Sequence, residues 1–230
     1  MKKTSKALLL SLCAVLLVAA SVLGTMAYLT SADEVTNTFT VGKVAITLDE
    51  AKTDINGVAV KPAERVDANT YKLLPGHTYT KDPTVYVDAK SEDAYVRMLV
   101  TVNKHSELKT ALPEYVAGNV FMLQNLVSDW DQEVWYCNGV TENADNTATY
   151  EFRYVVGTPD KLEDGKGLSS VPVVSGTGDL PALFTSITLP GSVTNAQLDT
   201  LEGLSIDVVA QAIQADGFAN ADAAWAAFAK

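Results

Sequence analysis

From Ala94 to Val102 every second residue is apolar: Ala94, Val96, Met98, Val100 and Val102 share one face, and Tyr95, Arg97, Leu99 and Thr101 the other. Side chains of an extended chain alternate between faces, whereas those of a helix repeat every 3.6 residues. A strict period of two therefore predicts a strand with one buried face. The pattern recurs. From Ala148 to Val156, Tyr150, Phe152, Tyr154 and Val156 oppose Thr149, Glu151, Arg153 and Val155. From Leu183 to Leu189, Leu183, Thr185, Ile187 and Leu189 oppose Phe184, Ser186 and Thr188. The run Ile206 to Ile213 is apolar on parts of both faces and reads as a more deeply buried strand. Thr38 to Leu48 reads as another strand whose apolar phase slips by one residue at Gly42-Lys43, as a β-bulge would cause.

Turn chemistry separates these runs. Asn56-Gly57 and Asn138-Gly139 are dipeptides of the kind that join antiparallel strands, and Pro75-Gly76 and Pro190-Gly191 mark further turns. Gly157 to Gly178, rich in Gly, Ser, Pro and charge, reads as a long exposed loop. The C-terminus changes period: Asn220 is placed to cap a short helix, Asp222 meets its positive end, and Trp225 and Phe228 share one face. About nine residues make a marginal helix alone, so Trp225 and Phe228 are expected to dock it onto the sheets. Residues 28–230 read as a single all-β domain, an antiparallel β-sandwich with a short C-terminal helix.

The first 27 residues read as a secretory signal. Lys2, Lys3 and Lys6 precede an uncharged run from Ala7 to Leu23, and Thr25 and Ala27 set a cleavage site between Ala27 and Tyr28. The competing reading is an uncleaved anchor, since the run sits at the lower end of the roughly 17–25 residues that span a bilayer. Cleavage removes three lysines and no acid, leaving about −14 of net charge where the whole chain has −11. Such a surface disfavours nucleic acid and anionic membrane and favours solubility, with loose attraction for cations or cationic polymers. Cys13 leaves with the signal. Cys137 then stands alone in the strand-like run Glu133 to Cys137, and burial is expected for it.

The chemistry-bearing residues form no known active-site pattern. His77 and His105 belong to no zinc motif, and His105-Ser106-Glu107 lacks the cysteine half of a deaminase signature. Surface or turn roles are expected for both. No nucleophile elbow or phosphate loop occurs, and Gly176-Thr177-Gly178 lacks a third glycine. Asp33-Glu34, Asp129 with Asp131, and Glu142 with Asp145 lack calcium-loop spacing and read as solvated turns. Trp130 and Trp135 fit a core as readily as a ligand platform. No cofactor is expected.

The segment Gly24 to Ser31, continuing into Thr36-Asn37-Thr38-Phe39-Thr40-Val41-Gly42-Lys43-Val44-Ala45-Ile46-Thr47-Leu48, resembles the N-terminus of the TasA/camelysin family of exported Gram-positive proteins. Leu74-Pro75-Gly76, Lys81-Asp82-Pro83, Ala94 to Arg97, Leu183-Phe184-Thr185, Leu189-Pro190, Ile206 to Gln214, Ala215 to Phe218 and the Ala-rich tail around Trp225 extend the resemblance along most of the chain. It implies a jelly-roll-like sandwich, processed by a dedicated signal peptidase and secreted to the cell surface or biofilm matrix. There it would self-associate into fibres by donating its new N-terminal strand to a neighbour. On this chain the donor falls within Tyr28 to Phe39, with Tyr28, Leu29, Val35 and Phe39 as its apolar side chains. A cell-surface metalloprotease of the camelysin type, and a monomeric adhesin or accessory protein binding matrix polymers, are the alternatives.

Overall fold

The computed structural model describes residues 12–16, 42–112, 122–155 and 178–228. The chain divides into two units, Met1–Val41 and Gly42–Lys230. In the first, Leu12 to Leu16 form an exposed helical turn. The cleavage site at Ala27 and Tyr28, the donor residues Leu29, Val35 and Phe39, Asp33-Glu34 and the loop from Gly157 to Thr177 lie outside the described residues. Among the described residues no helix is long and apolar enough to cross a membrane.

The second unit is an antiparallel all-β sandwich with a short C-terminal helix. Its main sheet has the order β11–β5–β8–β7, formed by Ile206–Gln214, Ala94–Val102, Ala148–Tyr154 and Trp135–Glu142. The alternation in β5 appears as expected: Ala94, Val96, Met98, Val100 and Val102 are all buried. β8 adds Ala148, Tyr150 and Phe152 to the same face, and β7 adds Trp135 and Cys137. β5 and β11 pair without a break from Ile206 opposite Val102 to Gln214 opposite Ala94.

The opposing layer is two small sheets rather than one. β1 (Ile46–Ala51) lies between β2 (Arg65–Val66) and β4 (Thr84–Val87), and β4 also pairs β9 (Gly178–Asp179). β10 (Ser186–Thr188) lies between β3 (Thr78–Thr80) and β6 (Val127–Ser128). The cause of the split is local. β3 and β4 are one extended stretch interrupted at Lys81-Asp82-Pro83, where Pro83 brings no N–H to a ladder. The segment from β9 to β10 follows the same step through single bonds, Leu180 N–H to the Val85 carbonyl at 2.8 Å and Leu183 N–H to that of Pro83 at 3.0 Å. Because the backbone steps there, Leu183 and Phe184 are both buried, and the seven-residue strand expected from alternation shrinks to Ser186–Thr188.

Three other expectations change. Asn138-Gly139 is not a turn. It lies inside β7 at a register shift opposite Glu151, and the hairpin to β8 closes through Asn143 and Thr147, with Asn146 at φ 64°. β11 is an edge strand rather than a buried one, and Val209 is 52% exposed. Gly42 to Ala45 are not in a strand, and β1 begins at Ile46. The expected turns at Asn56-Gly57, Pro75-Gly76 and Pro190-Gly191 do form. Gly57 has φ 76°, and a Cβ there would lie 2.6 Å from the Tyr79 ring, so both conformation and space demand glycine. The two Pro-Gly turns meet, with Gly76 N–H donating to the Leu189 carbonyl at 2.7 Å.

Among the described residues three short α-helices, α1 (His105–Ala111), α2 (Asn195–Thr200) and α3 (Ala221–Phe228), and a 3-10 turn at Met122–Asn125 complete the unit. Asn220 caps α3 by accepting from Ala223 N–H at 2.9 Å. Trp225 is buried with Tyr95, Ala221 and Ala224 in a small second core on the outer face of the main sheet. Phe228 remains 42% exposed, edge-on to Trp225 with the Arg97 guanidinium 5.5 Å from its ring centroid, so the buried Trp225 is the anchor.

Candidate functional site

A sandwich whose sheets do not close leaves a seam. Here the seam lies between β1 and β11; among the described residues β11 has a strand partner on one side only, and β1 has a partner on its second side only at Glu50 and Ala51. Beside the first half of β11 it opens into a groove of about 880 Å³. Leu48 from β1, Leu73, Ile187 from β10, Leu201, and Ile206 and Val208 from β11 give it an apolar lining. All six belong to or pack against the main core.

One wall holds a buried ion pair. The Lys81 ammonium lies 2.7 Å from a Glu50 carboxylate oxygen, with side chains 11% and 6% exposed. Asn69 donates to the other oxygen of Glu50 at 2.9 Å and to the Ala51 carbonyl at 2.8 Å, and its own oxygen accepts from Thr53 N–H at 2.8 Å. Both charges are thereby compensated, which burial requires. Tyr71 donates to the Thr80 carbonyl at 2.9 Å. Burial, with the Glu50 charge behind it, pushes its hydroxyl up to about 12, so it stays a donor. Beside this wall Arg65 clamps Asp49 and Asp82 at 2.7 Å each, and Asp82 accepts from Ala51 N–H at 2.6 Å.

The rim differs in charge balance. Asp67, Asp199, Glu202 and Asp207 line the opening, all exposed, and none has a salt-bridge partner among the described residues. Local chemistry places them. α2 starts at a capping box in which Thr194 and Gln197 bond reciprocally. It stops in a turn with Gly203 at φ 78°, which sets Asp199 and Glu202 at one end of the groove. β11 then begins, and Asp207 follows. The neighbouring base, Lys104, directs its ammonium to the Thr200 carbonyl at 3.1 Å.

The residues singled out from sequence lie elsewhere. His105 is not a surface residue. It is 5% exposed at the start of α1, its Nδ1 is 3.8 Å from Glu142, and burial, reinforced by Lys109, lowers its pKa. His77 serves a turn, its ring nitrogen 2.6 Å from the Asn56 carbonyl and its ring edge-on to Tyr79. Cys137 is buried, and burial pushes its thiol up to about 12, which leaves it a small core residue. Asp131 closes its own turn by accepting from Glu133 N–H at 2.8 Å, Asp145 does the same with Thr147, and Glu142 binds Lys109 at 2.7 Å. Among the described residues no three His, Cys, Asp or Glu side chains converge as metal ligands. Trp135 is core, and Trp130 packs edge-on against Phe152 while its indole N–H donates to the Trp135 carbonyl at 2.6 Å.

Sequence reasoning missed the groove. Glu50 and Lys81 are 31 residues apart, and the four rim acids are scattered over three segments, so no spacing announces them. The Thr194 to Gln197 capping box was the one local signal available. The chain matches no known family model, no characterised protein and no solved structure.

Proposed function

We propose that this chain is an exported structural protein of the cell surface or biofilm matrix, which self-associates into fibres when the N-terminal segment freed at Tyr28 adds as a strand to a neighbouring copy. The observation that carries the reading is the pair of long free edges on the main sheet. β11 and β7 run for nine and eight residues, each with a strand partner on one side only among the described residues. A free edge presents unpaired N–H and C=O groups and templates a further strand. Most monomeric sheets keep their edge strands short or cover them. The N-terminal resemblance and the strongly acidic, single-cysteine mature chain support the same reading.

The test is assembly of the protein beginning at Tyr28. Light scattering against concentration, followed by electron microscopy, is expected to show concentration-dependent filaments. Deletion of residues 28–35 is expected to abolish them. A monomer at every concentration, or normal fibres from the deleted chain, overturns the reading.

A further inference from the structure

We propose that the groove between β1 and β11 is a docking site for an extended, basic segment of a different protein, which pairs with the free edge of β11 and sets its lysines or arginines against the rim. This goes beyond the self-assembly reading and does not depend on it.

Three features of the groove specify the occupant. The first is the edge. Ile206 to Val208 lack a strand partner on the groove side among the described residues, so the ligand that completes them is an extended main chain. The second is the apolar lining under Leu48, Leu201, Ile206 and Val208, which takes every second side chain of such a strand. The third is charge. Among the described residues Asp67, Asp199, Glu202 and Asp207 have no salt-bridge partner, while the inward charges Glu50 and Lys81 already satisfy one another. The net field at the opening is negative, and a strand alternating apolar and basic residues matches floor and rim together.

The same charge count disfavours the chain's own N-terminal segment here. Tyr28 to Phe39 carries Asp33 and Glu34 and no basic side chain. Its one positive charge is the new α-amino group. Adding two carboxylates to a rim of four raises the repulsion that a basic strand relieves. Self-assembly through that segment is thus directed to the β7 edge, and the β11 groove is left for a heterologous partner.

The experiment measures anisotropy of a fluorescent dodecapeptide of alternating Lys and Val against the protein beginning at Tyr28. An alternating Glu-Val peptide and a peptide of residues 28–39 are run beside it. The Lys-Val peptide is expected to bind, to weaken steeply with added salt as surface charge is screened, and to lose about tenfold in affinity with D199N/E202Q/D207N. E133Q/D179N/D216N removes three acids that do not line the groove and serves as the control for net charge. Its affinity is expected to stay within about twofold of the parent. No binding of the Lys-Val peptide, equal losses in the two triple variants, or tighter binding of the 28–39 peptide each overturns the proposal. The last result would instead place self-assembly in this groove. Failure of the protein to form filaments would leave the outcome of this assay unchanged.

Discussion

Lys81→Met tests whether the groove wall rests on its ion pair. The substitution keeps most of the aliphatic bulk of the side chain and removes the cation 2.7 Å from Glu50. The Glu50 side chain is 6% exposed and, among the described residues, would keep the Asn69 amide as its one side-chain partner. Removing one member of a buried pair costs about 3–5 kcal/mol, because the remaining charge is stranded in a poorly polarisable setting. For a domain of this size each kcal/mol moves the melting temperature by about 2–4 °C, so K81M is expected to melt roughly 6–20 °C below the parent. E50Q/K81M leaves no charge behind and is expected to recover most of that loss. Thermal melting followed by circular dichroism, with urea titration of the same variants, reads both numbers. A K81M midpoint within about 2 °C of the parent, or a double variant no more stable than the single, refutes the reasoning.

Trp225→Ala removes the anchor of α3 together with the ring beneath the Arg97 guanidinium, which lies 4.2 Å from its centroid. Loss of such an aromatic costs about 3–5 kcal/mol where the site is cooperative with the core. Hydrogen exchange is expected to quicken at Tyr95 and Ile213, and unchanged exchange there would show that α3 is held by Asp222 and Arg153 instead. His105 is buried with its pKa below the ordinary value of about 6.5. The unfolded chain therefore takes up a proton first, and stability is lost as pH falls through about 6.5 toward the folded pKa. His105→Gln is expected to flatten the urea midpoint over that interval, and a variant that keeps the parent's slope would assign it to other groups. Cys137 is expected to resist a thiol reagent in the native protein and react fully in denaturant, and rapid native labelling would contradict its burial.

Much of the fold was legible because it is local in origin. β5 from Val96 onward and the first five residues of β8 match the alternation residue by residue, since a pleat with one buried face dictates the pattern; Tyr95 departs from it because α3 covers the other face there. The Asn56-Gly57 turn is fixed by a left-handed backbone that glycine supplies. The cap at Asn220 is read within four residues. The failures share a cause as well. Leu183-Phe184 alternates on paper but sits where the chain steps between sheets, and there both side chains turn inward. Asn138-Gly139 has turn chemistry but is held in β7 by its pairing to β8. Val209 reads as core yet lies on an edge that no further described strand covers.

By itself the sequence determined the elements that short-range sterics and periodicity control: the class of the fold, the main strands, the turns at Asn56-Gly57, Pro75-Gly76 and Pro190-Gly191, and the capped terminal helix. Tertiary structure alone decided which strands became edges, that Glu50 and Lys81 would meet across 31 residues, that His105 would be buried, and that four acids from three segments would ring one groove. The physical reason is range. Backbone preference and side-chain alternation act over a few residues, whereas an edge, a seam or a field is a property of segments brought together only when the layers pack.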